Sequence, residues 1–233
     1  FHVEAGVRSN NYSMPEEINR VVTDSISDLL FAPSLSAIEN LNGLGLKGEI
    51  CFSGDVMKDL INQQEVLNAD NGQVLLTLHR PYNCDDIERL SYILKSIDNL
   101  NRTIIFPIHP RTKNILDKAN RISLYKNIKI IEPLAYTALM KQLGSCFALI
   151  TDSGGMQKEA YWLRKRCITI RSETEWTETL DGGWNSLMFE DLSELSVKLS
   201  EKLGRHNTQL YGDGKAVEII VDKMSEYLSN VVR

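Results

Sequence analysis

From residue 73 onward the chain alternates short apolar, β-branched runs with amphipathic stretches, and this alternation narrows the available folds more than any other feature. The runs are "QVLLTLH" (73–79), "RTIIFPIH" (102–109), "NIKIIEP" (127–133), "FALIT" (147–151) and "RCITIR" (166–171). Between them, 84–100, 112–120, 135–144 and 155–165 carry helical spacing. Continuous apolar strands interleaved with helices require a parallel sheet covered on both faces, so the chain reads as α/β. Upstream, 15–31 reads as a helix, with Pro15 in its first turn and Glu16 and Glu17 where the helix dipole favours acids. "FAPS" and "EICFSG" read as short strands flanking a helix at 35–42. After the sheet, 191–203 and 214–230 read as helices.

Composition excludes several classes. Net charge is −5 with no long basic block, which argues against a broad nucleic-acid or membrane footprint but leaves room for a local anion site. No apolar run approaches the roughly 20 residues a bilayer-spanning helix needs. The four cysteines, Cys51, Cys84, Cys146 and Cys167, form no CxxC pair. Cys146 and Cys167 sit in apolar runs and read as buried free thiols, which suits a reducing cytoplasm. The chain opens on "FHVEAG", a strand-like start without an initiator methionine, so the sequence is expected to be the later part of a longer protein.

Ligands of open parallel sheets bind beyond the carboxyl ends of the strands. His79 and His109, two of only four histidines, end strands, as does Arg171, and Ser153 and Gly154 follow another. "ITDSGGMQKEA" therefore stands out: strand, then Ser153-Gly154-Gly155, then helix. Free N–H groups and the positive dipole end of a helix attract anions, glycines let an oxyanion approach the backbone, and the Ser153 hydroxyl adds a donor. Glu159 lies four residues past Gly155 on the same helix face, where it suits two ribose hydroxyls better than a phosphate. From the residues alone, a nucleotide cradle and an ordinary capped helix start with a solvated glutamate both remain open.

Two other patterns carry less. Gly43, Gly45 and Gly48 in "GLGLKG" satisfy GxGxxG literally, but the order there is helix, glycines, strand. The dinucleotide fingerprint works only as a strand-to-helix turn, so this reads as a helix-ending loop. Glu4 in "HVEAG", with Glu16 and Glu17, gives carboxylates near histidines, suited to general acid–base work. Their spacing matches no metal-binding pattern, and the helix-start acids have an ordinary dipole role besides.

In order along the chain, "HVEAGVRS", "PEEINR", "LLTLHRPYN", "FPIHPRT", "IIEPLAY", "ITDSGGMQKEA" and "TEWTETLDGGWN" resemble the non-hydrolysing UDP-N-acetylglucosamine 2-epimerases, over Phe1 to about Asn185. The resemblance implies a glycosyltransferase-B-like α/β protein with one complete Rossmann-like parallel-sheet domain and the end of a first one. The expected division is 1–54 for the end of the first domain, 55–205 for the UDP-binding domain, and 206–233 for a C-terminal helix packing back on the first. It implies that the catalytic carboxylates correspond to Glu4 and Glu16, and that His79 lies near the diphosphate. Ser153, Gly154 and Gly155 correspond to the phosphate cradle and Glu159 to the ribose-binding glutamate. Arg80 and His109 match positions associated with a second, regulatory UDP-sugar. Trp176 stands where many members carry an arginine, leaving Arg171 to supply part of that charge, and "HRPYN" replaces the commoner "HRREN". A further family carboxylate, in a "GD" motif upstream of "HVEAG", has no counterpart in this chain.

The implied activity is interconversion of UDP-GlcNAc and UDP-ManNAc through elimination of UDP to a 2-acetamidoglucal and re-addition. It needs no cofactor or metal, and UDP-GlcNAc and UDP are the implied partners of a cytoplasmic homodimer without nucleic acid or membrane. The alternatives are a glycosyltransferase of the same fold and a catalytically incomplete UDP-sugar-binding fragment.

Overall fold

A computed structural model describes residues 1–231. Its chain packs into two units, one formed by Phe1–Gln64 with 207–231 and the other by Glu65–His206.

The first unit centres on a three-stranded parallel sheet of β1 (His2–Val3), β2 (Leu29–Ala32) and β3 (Glu49–Phe52), in that order. All four residues of β2 are buried, and their alternation explains why. Leu30 and Ala32 pack with Ala37 and Leu41 of α2 (Leu35–Asn42), whereas Leu29 and Phe31 pack with Ile220 of the C-terminal helix Ala216–Val231. A strand covered on both faces must be apolar throughout. α1 (Pro15–Ile26) links β1 to β2. Spacing predicts one helix across 15–31, but Ser27 turns to an extended conformation and "LLFA" becomes the central strand. A four-residue apolar run following an amphipathic helix carries no periodicity of its own to separate it.

The "GLGLKG" segment ends α2 and enters β3, as its order predicts. Gly48 is required by packing, since a Cβ there would sit 2.2 Å from the Ser27 carbonyl oxygen. α3 (Val56–Asn62) opens on Asp55, which accepts from the Met57 N–H at 2.8 Å. Asp59 of α3 accepts from the N–H groups of Ala216 at 3.1 Å and Val217 at 2.8 Å, capping the C-terminal helix. These bonds keep α3 and that helix in one unit.

The second unit holds six parallel strands: β4 (Val74–Thr77), β5 (Ile104–Pro107), β6 (Ile128–Ile131), β7 (Ala148–Thr151), β8 (Arg166–Thr169) and β9 (Asn185–Leu187). Their order is β6-β5-β4-β7-β8-β9. Helices α4 (Pro81–Cys84), α5 (Ile87–Asp98), α6 (Pro110–Lys118), α7 (Tyr136–Ser145), α8 (Gly154–Trp162) and α9 (Leu195–Ser200) connect and follow them. α5 shows the sequence logic most plainly. Asp86 caps it by accepting from the Glu88 N–H, and Leu90, Ile93, Leu94 and Ile97 form its buried stripe at helical spacing. The expected helix at 191–203 shortens to α9, and β9 and α4 are elements the apolar pattern does not reveal.

All four cysteines are free thiols, and Cys146 and Cys167 are buried as expected. Burial pushes their pKa values up to about 11 and about 12. Among the described residues, no helix is long and apolar enough to cross a membrane.

Candidate functional site

The strand order of the second unit has one reversal. From β4 the chain builds outward through β5 and β6, then returns to place β7 on the other side of β4. Loops leaving β4 and β7 diverge at their carboxyl ends, opening the crevice where such sheets bind ligands. His79 and Arg80 lie in the first loop and Asp152 and Ser153 in the second.

One side chain joins the two loops. The Asp152 carboxylate, with no exposed surface, accepts from the His79 N–H at 3.1 Å and the Arg80 N–H at 3.0 Å. It also accepts from Asn83 Nδ2 at 3.2 Å, and His79 Nδ1 lies 3.0 Å away. Asn83 in turn donates to the Ile170 carbonyl at 2.9 Å, extending the network to the end of β8. The first strand residues below are pinned too: Thr77 and Thr151 hydroxyls meet at 2.6 Å, and the Ser153 N–H donates to Thr151 Oγ1 at 3.0 Å.

Ser153 caps α8, its hydroxyl oxygen accepting from the Met156 N–H at 3.5 Å. Gly154 and Gly155 supply the helix's first two N–H groups, but their lack of a side chain serves different ends. A Cβ on Gly154 would lie 2.6 Å from Glu175 Oε1 and 3.5 Å from Arg171 Nη1, whereas one on Gly155 would meet nothing within 4 Å. Gly154 thus admits a buried ion pair against the helix start, and Gly155 leaves open space. In that pair Arg171 Nη2 lies 3.0 Å from Glu175 Oε2, while Arg171 Nη1 is buried with no acceptor among the described residues. A buried guanidinium N–H without a partner is costly, and an incoming anion would satisfy it.

The body of α8 is fixed by a buried amide network. Gln157 donates to the Ser153 carbonyl at 3.2 Å and accepts from Thr174 Oγ1 at 2.6 Å and Asn185 Nδ2 at 2.9 Å. Glu159, on the same helix, is 6% exposed, so it is not the solvated surface charge that the residues alone allowed. Trp176 stands beside α8. It is buried, with Lys158 Nζ 3.7 Å from its ring centroid.

His109 is not brought into this cluster. It lies two residues past β5, which neighbours β4, and its Nδ1 accepts from the Arg111 N–H at 3.2 Å as the cap of α6. Arg80 borders the cluster through its backbone, and its buried Nε has no partner among the described residues.

The carboxylates of the first unit lie at the carboxyl end of its sheet. Glu4 directly follows β1 and holds a left-handed φ of 68°. Such a conformation costs a residue with a Cβ of order 1 kcal/mol or more and collects at functional sites. Glu16 is exposed in the first turn of α1, whereas its neighbour Glu17 is buried. Glu17 Oε2 accepts from the Ser9 N–H at 2.7 Å and Ser9 Oγ at 3.0 Å, and Oε1 has no partner among the described residues. Beneath this loop, buried Asp24 accepts from the Gly6 N–H at 3.2 Å and from Arg8 Nη2 at 2.5 Å, and lies 2.6 Å from His2 Nδ1. Burial pushes the Asp24 carboxyl up, but hydrogen bonds and charge from His2 and Arg8 outweigh it and hold the pKa below its ordinary value.

Asp152, Asn83 and the Arg171–Glu175 pair complete the crevice, and sequence inspection singled out only Arg171 among them. The local pattern at Asp152, a carboxylate after an apolar strand beside a Ser-Gly-Gly turn, fits a solvated acid as well as a buried acceptor.

A sequence model of the UDP-N-acetylglucosamine 2-epimerase family matches residues 1–225. A Methanococcus maripaludis protein described as a UDP-N-acetylglucosamine 2-epimerase homolog is 38% identical over 95% of this chain and 67% of its own length. The UDP-2,3-diacetamido-2,3-dideoxy-D-glucuronate 2-epimerase of Pseudomonas aeruginosa is 36% identical over 99% of this chain and 68% of its own. The crystal structure of Methanocaldococcus jannaschii UDP-GlcNAc 2-epimerase in complex with UDP-GlcNAc and UDP superposes with a TM-score of 0.82 at 38% identity. It covers 97% of this chain and 68% of the other. The motifs, the crevice at the β4–β7 reversal and these similarities agree: the chain belongs to the UDP-N-acetylglucosamine 2-epimerase family.

Proposed function

We propose that this protein interconverts UDP-GlcNAc and UDP-ManNAc by inverting carbon 2 of the sugar. The observation that carries the reading is the start of α8. There, helix N–H groups, the unsatisfied Arg171 Nη1 and the Ser153 hydroxyl are available, and Asp152, next to Ser153, holds His79. That set of donors suits a nucleoside diphosphate.

The hydrogen on carbon 2 has no adjacent carbonyl and is poorly acidic, so direct deprotonation is unfavourable. Breaking the bond from the anomeric carbon to the diphosphate oxygen first gives that carbon cationic character, which acidifies the neighbouring C–H. Loss of the proton then leaves a 2-acetamidoglucal, and the UDP anion carries the bonding electrons away. Return of a proton to the opposite face of carbon 2, with re-attack by the UDP oxygen on the anomeric carbon, completes the inversion. No net oxidation occurs.

The crevice holds the departing UDP and keeps it available for re-addition, through donors from Arg171, the helix start and the His79 ring. Glu159 accepts from the ribose hydroxyls. Glu4 and Glu16 remove and return the carbon-2 proton. Arg80 and His109 belong to a regulatory UDP-sugar position, and the active species is a cytoplasmic homodimer.

Incubating the protein with UDP-GlcNAc alone tests the reading. UDP-ManNAc accumulating to a fixed ratio with no acceptor supports it. Turnover that requires an acceptor identifies a glycosyltransferase, and UDP binding without turnover identifies a binding fragment. Because the Pseudomonas relative is similar over 99% of the chain, a diacetamido-glucuronate UDP-sugar run in parallel decides between the two sugars.

A further inference from the structure

The geometry points to Asp152 as the positioning residue of His79, fixing which ring nitrogen meets the ligand. This inference rests on the reading of His79 as the group beside the departing diphosphate.

Asp152 has no exposed surface, and its carboxylate accepts from the His79 and Arg80 N–H groups and from Asn83 Nδ2. His79 Nδ1 lies 3.0 Å from Oδ1 as an ion-pair contact. A carboxylate oxygen carries only lone pairs and repels a bare nitrogen lone pair at that distance, so the contact places the ring hydrogen on Nδ1. The neutral ring then keeps its lone pair on Nε2, and only Nε2 can take or give a proton. With its side chain 48% exposed, the ring remains accessible while its inner edge is anchored.

The backbone bonds add a second constraint. Asp152 follows β7 and His79 follows β4, and these strands are neighbours with Thr77 opposite Thr151. The His79 main chain and side chain are therefore held by the same buried group, from the loop that also carries Ser153. The imidazole keeps a fixed register to the start of α8. A protonated Nε2–H can donate to a diphosphate oxygen as negative charge develops, and can hold that oxygen for re-addition. An asparagine at 152 preserves the shape and can still accept from the two backbone N–H groups. Its amide can also donate to Nδ1, which would move the ring hydrogen to Nε2 in the neutral ring, and without the carboxylate charge beside it the ring would offer the diphosphate only an uncharged donor.

The test combines nitrogen NMR of ¹⁵N-histidine-labelled protein with kinetics. At a pH where the ring is neutral, the wild-type protein is expected to show His79 with hydrogen on Nδ1, and Asp152→Asn to show a substantial Nε2–H population. Epimerisation by Asp152→Asn is expected to fall by about 10-fold in kcat, the difference between a charge-assisted and a neutral hydrogen bond to the departing diphosphate. KM should change far less. In a His79→Ala background, Asp152→Asn should cost no more than about 2-fold further, because its effect runs through the ring. An unaltered tautomer, or an equal loss with and without His79, overturns the inference and leaves Asp152 a loop tie. If the protein proves not to epimerise, the tautomer measurement still decides the positioning.

Discussion

Arg171 and Glu175 form a buried ion pair at 3.0 Å directly against Gly154, and the second terminal nitrogen of Arg171 has no acceptor among the described residues. The pair is held by charge at this distance, with Glu175 Oε2 also lacking a hydrogen-bond partner among the described residues, and Arg171 Nη1 remains as a charged donor for an anion at the start of α8. Arg171→Gln should weaken UDP binding by about 10- to 100-fold, the equivalent of a charge-assisted hydrogen bond of about 1.5–3 kcal/mol. Isothermal titration calorimetry measures it, and uridine, which lacks phosphate, should bind the variant and the parent alike.

The two glycines separate folding from binding. Gly154→Ala places a methyl 2.6 Å from Glu175 Oε1 in a buried setting, so it should destabilise the protein by about 1–3 kcal/mol. Gly155→Ala meets open space and should leave the unfolding midpoint unchanged while lowering UDP affinity. Thermal unfolding with and without UDP reads both effects. Equal unfolding midpoints for the two variants would contradict the assignment.

Glu4 holds its left-handed backbone at a conformational cost that glycine does not incur. Glu4→Gly should therefore unfold at the same temperature as the parent or higher, although a glycine also raises the entropy of the unfolded chain. The same variant should lose epimerisation. A falling midpoint would show that Glu4 stabilises the loop rather than being held there under strain.

Asp24 ties β1 and its following loop to α1 through His2, Arg8 and the Gly6 N–H. Its folded pKa lies below the ordinary 3.8, so its ionised form binds more favourably in the folded state. The resulting stability is present above the unfolded value and lost as pH falls through the folded one. Asp24→Asn should cost about 1–3 kcal/mol at neutral pH, with the difference from the parent shrinking only below about pH 4. Denaturant unfolding of both proteins from pH 3 to 7 tests the window.

The larger sheet was legible because its strands are buried on both faces and had to be apolar: "VLLT", "ALIT" and "RCIT" each occupy the middle of it. β2 overlaps the strand expected at "FAPS" but begins two residues earlier, because Leu29–Ala32 follows a real amphipathic helix with only Ser27 and Asp28 between them. The start of α8 was legible as strand, Ser-Gly-Gly, helix, since its signal is local. Asp152 was not, because an acid beside a turn looks solvated until strand pairing brings His79, Arg80 and Asn83 around it. Trp176 shows the same limit. Its partner Lys158 lies on α8, and only the fold places the ammonium over the ring.

In the proposed reaction, carbon 2 of the sugar loses and regains its proton while UDP is released and recaptured. Proton NMR of UDP-GlcNAc incubated with the protein in heavy water measures this directly. UDP-ManNAc is expected to form with deuterium at carbon 2, with labelled UDP-GlcNAc returned, and both are expected to be lost on replacing Glu4 by Gln. UDP-ManNAc formed with its original carbon-2 hydrogen, or exchange retained by Glu4→Gln, would contradict that reaction.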